Sequence, residues 1–274
     1  MGRRAGPASS FAAQFTYQAL AMFVEIVGNG APLVLLHGWA MHGGIFAPLV
    51  ELLKHHHRLY IVDLPGHGRS RDLVFDLPEN IAQLAAVLPR AAYLGWSLGG
   101  AFATRLALDY PQRVSHLICL ASSPRFVLGE AWPHAVASDT FARFARDLQA
   151  DWQAVVQRFL ALEVFGSDAQ KSELRWLREQ VYKHGDPDLQ ALLYGLQLLG
   201  EIDLRAELTD LHCPSLWLGG SRDRLVPPEA LAAAAQLSGG QSAIIGGAGH
   251  APFLTQAEQV ATHLLKFFTD YEVL

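Results

Sequence analysis

The stretch Ala92-Tyr93-Leu94-Gly95-Trp96-Ser97-Leu98-Gly99-Gly100 decides the fold. A short apolar run ends in G-x-S-x-G-G, and an alanine-rich helical pattern follows from Gly99 to Tyr110. A nucleophile on a sharp strand-to-helix turn has strained backbone angles, and its neighbours two positions away are forced together. Gly95 and Gly99 stand at those two positions and supply the missing side chains. The turn also puts Ser97 at the positive end of the following helix, where developing negative charge is favoured. The plainer reading is an incidental serine in a glycine-rich turn. The flanking strand and helix patterns argue against it.

Outward from this turn, short apolar runs recur at Pro32–Leu36, Arg58–Val62, Ala92–Leu94, His116–Leu120, Ser215–Leu218 and Ser242–Ile245. Each is too short for a helix and is closed by Gly, Pro or Ser, as buried parallel strands are. Phe23–Val27 reads as an earlier strand, ended by Gly28-Asn29-Gly30 and paired antiparallel. Helical patterns such as Leu77–Leu88 separate the later runs, so the expected architecture is an α/β fold with a mostly parallel sheet flanked by helices. From Ser122 to about Asp203 the alternation stops. Trp152, Val155, Val156, Phe159 and Leu160 form an amphipathic stripe, Gly166 suits a helix end, and Ser167 with Gln170 has capping-box spacing. Leu174, Leu177 and Val181 then form the apolar face of the next helix. The expected division is a core of residues 22–121 and 204–274, a helical lid of 122–203 inserted in it, and a poorly ordered extension of 1–21 ahead of Met22.

The 274-residue chain is 51% hydrophobic and 17% charged, enough to bury a large core without metals or disulfides. Its net charge of −5 argues against a surface built for nucleic acid. Cys119 and Cys213 are the only cysteines, which excludes a disulfide framework and fits a reducing, cytoplasmic setting. His37, His42 and Glu25 interrupt the most apolar segments, so no membrane span is expected. A monomer is the expected state.

A serine needs a base to act at neutral pH, and the base needs an orienting acid. Asp223 and His250 follow Ser97 in the order Ser, Asp, His, each on a loop just after a strand, where open α/β sheets place their sites. The plainer readings are a turn carboxylate paired with Arg222 or Arg224 and a loop histidine without a task. Oxyanion donors are expected from the backbone N–H of Leu98 and of Trp39, with Gly38 permitting close approach. His37 reads as a structural residue whose ring bonds loop backbone. Asp63, His67 and the His55-His56-His57 run match no closed metal site, and no cofactor-binding motif occurs, so neither metal nor cofactor is expected.

Taken together, His37-Gly38-Trp39, D-x-P-G-x-G-x-S from Asp63, G-W-S-L-G-G around Ser97 and G-H-A-P-F from Gly249 resemble the α/β-hydrolase superfamily. Ala121-Ser122-Ser123-Pro124, Glu130-Ala131-Trp132-Pro133, Arg158-Phe159-Leu160-Ala161-Leu162 and Ile202-Asp203-Leu204-Arg205 narrow the resemblance to the esterases of biotin synthesis that demethylate pimeloyl-[acyl-carrier protein] methyl ester. The resemblance implies a serine carboxylesterase without cofactor, an acyl-carrier protein as partner, Phe159 in the acyl pocket, and Arg158, Lys171 and Arg175 facing the carrier. A further basic position of that family falls on Ala154 here. Lys171, Arg175 and Arg178 share one helical face. Ser122–Gly185 holds eight basic and eight acidic residues, which leaves 13 basic against 18 acidic elsewhere. The same cations also fit a plain solvated face, partly neutralised by Glu173 and Glu179. The alternatives to the carrier-bound ester are a small free ester, a carbon–carbon bond, and a hydrolase fold that only binds its ligand.

Overall fold

The computed structural model describes residues 22–271, so the expected extension of residues 1–21 lies outside the described residues. Seven strands form one sheet: β1 (Val24–Val27), β2 (Ala31–Leu36), β3 (His57–Val62), β4 (Ala91–Trp96), β5 (Val114–Leu120), β6 (Ser215–Gly220) and β7 (Gln241–Ile245). Their order is β1-β3-β2-β4-β5-β6-β7, with β1 antiparallel to β3 and every other pair parallel. All six residues of β4 and of β6 are buried, which requires cover on both faces of the sheet and explains their continuous apolar runs. β7 is an edge strand, and its exposed Gln241, Ser242 and Ile244 reflect that place.

The core helices are α1 (Ala47–Leu53), α2 (Leu77–Val87) and α3 (Leu98–Asp109), with two more that follow the insertion. Between β5 and β6 the chain leaves the sheet and forms α4 (Thr140–Leu148), α5 (Trp152–Glu163), α6 (Gln170–Val181) and α7 (Leu189–Glu201). α8 (Pro228–Ser238) and α9 (Ala257–Tyr271) complete the chain, and α9 packs against α1. Asp151 and Asp188 cap α5 and α7 by accepting from the Ala154 and Ala191 amides at 3.0 and 2.9 Å. Caps of this kind contribute about 1 kcal/mol each. The expected capping box at Ser167 does not form. α6 opens later, at Gln170, because the Asp168 amide is held by the Gly247 carbonyl while Ser167 Oγ accepts from Ala169 N–H.

One buried apolar cluster runs from the sheet into the insertion, taking in Val155, Val156, Phe159, Leu160, Leu177, Leu192 and Leu196. Burying side chains of this size stabilises by about 1.5–3 kcal/mol each. α4 packs on α7 and on α5, and α5 on α6. No helix among the described residues is long and apolar enough to cross a membrane.

Candidate active site

Ser97 stands alone between the end of β4 and the start of α3, with φ +53° and ψ −118°. A non-glycine residue holds such angles only when its surroundings fix them. Here they do. Ser97 N–H donates to the Leu120 carbonyl at 3.0 Å, while the Ser97 carbonyl accepts from Ser122 Oγ at 2.7 Å and from Gly100 N–H at 2.9 Å. A side chain on Gly95 would collide with the Gly99 carbonyl, and one on Gly99 with the Leu36 carbonyl, so the glycine spacing is a packing requirement of the turn.

His250 reaches this turn from the loop after β7. Its Nε2 lies 2.8 Å from Ser97 Oγ and its Nδ1 2.8 Å from Asp223 Oδ2. Asp223, on the loop after β6, also accepts from the Leu225 and Val226 amides through Oδ1, at 2.8 and 3.0 Å. With Oδ1 taken by the two amides, Oδ2 is left to accept from the imidazole, which places the ring proton on Nδ1. Nε2 is then the acceptor that faces the serine hydroxyl. The imidazole is further fixed through its backbone: the His250 N–H donates to the Glu163 carbonyl at 2.9 Å, and Trp96 Nε1–H donates to the His250 carbonyl at 2.9 Å. Ser97, Asp223 and His250 are 2%, 4% and 1% exposed, so the chain of hydrogen bonds is shielded from competing water.

The loop after β2 runs beside the serine. A Cβ on Gly38 would lie 3.3 Å from Ser97 Cβ and 2.9 Å from the Trp96 ring. Neither the Trp39 amide nor the Leu98 amide has an acceptor among the described residues. His37 does bond loop backbone: its Nδ1–H donates to the Gly38 carbonyl and its Nε2 accepts from Leu64 N–H, both at 2.8 Å. Burial, with His67 alongside, pulls its pKa down to about 3. Asp63 accepts from Gly43 N–H and from the Arg69 guanidinium; burial opposes its charge, but the Arg69 hydrogen bonds prevail and lower its pKa to about 2. Among the described residues no group of three His, Cys, Asp or Glu is arranged to hold a metal.

The insertion closes over the same loop. The Trp39 indole is fully buried, donates to the Leu192 carbonyl of α7 at 2.9 Å and lies 4.6 Å from the Phe159 ring of α5. Gly195 of α7 is seated so that a Cβ would lie 2.7 Å from Trp39 Cδ1 and 3.4 Å from Leu98 Cδ2. Phe159 is thus brought to the loop beside Ser97. Arg158, Lys171 and Arg175 are not. They are exposed on the outer faces of α5 and α6, with Arg158 paired to Asp147 at 2.7 Å and Arg175 4.0 Å from Glu179. Glu173 points inward, where it accepts from Thr255 Oγ1, and so does not neutralise that face.

Sequence reasoning missed three contributors. Ser122 was legible only as part of a matching stretch after a strand, without a role, Gly195 as a glycine inside a helix, and Glu163 not at all, since a lone glutamate at a helix end reads as solvated.

A strained serine between strand and helix, with a histidine and an aspartate in line, defines the class. A family model described as the alpha/beta hydrolase fold matches residues 31–257, and the chain belongs to that family. Among curated relatives, it is 50% identical over 249 residues to the pimeloyl-[acyl-carrier protein] methyl ester esterase of Xanthomonas oryzae pv. oryzae (strain MAFF 311018), covering 90% of this chain and 98% of that one. The esterase of the same name from Stenotrophomonas maltophilia (strain R551-3) is 49% identical, over 90% of this chain and 96% of its own. Of solved structures, an esterase from Exiguobacterium antarcticum superposes with a TM-score of 0.80 at 23% identity, covering 90% of this chain and 94% of that one, a likeness of fold.

Proposed function

We propose that this chain is a serine carboxylesterase that hydrolyses the methyl ester of pimeloyl-[acyl-carrier protein], a step of biotin synthesis. The single observation that carries the chemistry is the continuous line Asp223 Oδ2–His250–Ser97 Oγ, with 2.8 Å at each link. In this reading Ser97 Oγ attacks the ester carbonyl as its proton passes to His250 Nε2. The Trp39 and Leu98 amides, which have no acceptor among the described residues, donate to the oxyanion. Collapse of the intermediate breaks the bond to the methoxy oxygen, which takes the proton from His250 and leaves as methanol. Water then attacks the acyl-enzyme with His250 again as base, freeing the carboxylic acid and restoring Ser97. Every step is proton transfer or acyl transfer, and none calls for a metal or a cofactor.

The substrate assignment rests on the identity to the named esterases along nearly their whole length. The insertion serves as the lid, with Phe159 on the acyl chain and Arg158, Lys171 and Arg175 toward an acidic acyl-carrier protein. Their exposure supports that role. The test is mass spectrometry of methyl pimeloyl carrier protein after incubation with the enzyme. Loss of one methylene mass with the thioester intact is expected. An unchanged mass beside active turnover of a free aryl ester would instead assign the chain to small free esters.

A further inference from the structure

Glu163, the last residue of α5, is 1% exposed, and among the described residues neither of its carboxyl oxygens has a hydrogen-bond partner. An ionised carboxylate in that position would be a buried charge with no donor, which proteins avoid by holding the proton. Its surroundings strengthen the argument. Burial raises its affinity for the proton, and the negative charge of Asp223 raises it further. The other charged groups around it are committed elsewhere: Arg222 to the Gly166 carbonyl and Asp168, Arg224 over the Phe165 ring at 5.9 Å, and His250 to Asp223 and Ser97. Among the described residues no Lys or Arg forms an ion pair with Glu163 or Asp223; the basic partner of Asp223 is the His250 imidazole at 2.8 Å. The backbone of Glu163 meanwhile grips the base, its carbonyl accepting from His250 N–H at 2.9 Å.

We propose that Glu163 is a positioning residue, a carboxylic acid kept neutral beside Asp223, and that loss of its proton sets the alkaline limit of Ser97 reactivity. The inference rests on the reading of Ser97, His250 and Asp223 as the reacting set. With its proton in place, Glu163 leaves Asp223 as the single negative charge behind His250. When the proton leaves to solvent, two buried carboxylates share one site, and their repulsion works against both the Asp223–His250 bond and the negative charge that develops at the serine.

The test is the pH profile of covalent labelling of Ser97 by a small fluorophosphonate, in wild type and in Glu163→Gln, which keeps the shape and cannot ionise. The acid limb should coincide in the two proteins, and the alkaline decline should move upward in Glu163→Gln by at least about one pH unit, a tenfold difference in labelling rate there. Infrared difference spectra of wild type minus Glu163→Gln at neutral pH should show a protonated-carboxyl C=O band. Superimposable profiles overturn the inference, as does absence of that band or a shifted acid limb, either of which means that Glu163 is already charged. Wild type that labels at no pH overturns the hydrolase reading itself, an outcome distinct from the other three.

Discussion

At Ser97 the cost and the use of one conformation meet. Positive φ at a serine is strained, and three hydrogen bonds to its own backbone groups hold it there. Replacing Ser97 by Ala leaves those bonds in place and removes the hydroxyl, so kcat on an aryl ester should fall by about 10⁶-fold with little change in Tm. Asp223→Asn should cost about 10⁴-fold, because an amide facing Nδ1 favours the wrong tautomer of His250. Steady-state kinetics with circular dichroism melts of both variants checks the pair; a fold lost in Ser97→Ala would mean that the hydroxyl has a structural task. Gly195 makes a third case. A methyl group there would stand 2.7 Å from the Trp39 ring while improving helix propensity by about 1 kcal/mol. Gly195→Ala should therefore lower kcat/KM by about 10- to 100-fold through displacement of the Trp39 loop, with a much smaller change in the urea midpoint.

Among the elements, the strands were legible and the insertion only partly so. β4 and β6 are buried along their whole length and β2, β3 and β5 toward their ends, so each shows a short apolar run, and the turn at Ser97 is legible because its glycines answer a local collision. Helices α5 and α6 were legible by their stripes, since Val155, Phe159, Leu177 and Val181 all turn inward. The start of α6 was not, because it is set by a hydrogen bond between Asp168 and Gly247, 79 residues downstream. Nor was the burial of Glu163 or Glu173, which depends on which loops of the core lie beneath each helix. The same limit applies to the cations of α5 and α6: their common face can be read from spacing, and what docks there cannot. Charge reversal by Lys171→Glu with Arg175→Glu should raise KM for the carrier-bound ester by about tenfold, most steeply at low salt, while an aryl ester is turned over as before. Equal losses on both substrates would remove the acidic partner from the account of this surface.

For the molecule as a whole, stability should fall with acid well before the carboxylates titrate. His37 and His42 are held neutral by burial, with pKa values of about 3 and about 4 against 6.5 for the free side chain. Each binds its proton more tightly in the unfolded chain, so the stability it contributes is complete above pH 6.5 and shrinks as pH falls toward those lower values, by up to about 1.4 kcal/mol per pH unit. Asp63, held at about 2 against 3.8, adds a loss of the same sign in more acidic solution. Urea unfolding at pH 7.5 and pH 5 should show the decline. His42→Asn should soften it, for His42 joins the Gly44 amide of the core to the Gln180 carbonyl of α6 and does so only as the neutral ring. A further consequence lies in the indole of Trp39, anchored at once to α5 and α7 while its loop runs beside Ser97. Substrate range and turnover cannot drift independently in such a design: a chimera that borrows the roof helices of another esterase will inherit its new specificity at full speed only if the graft also restores a partner for that ring.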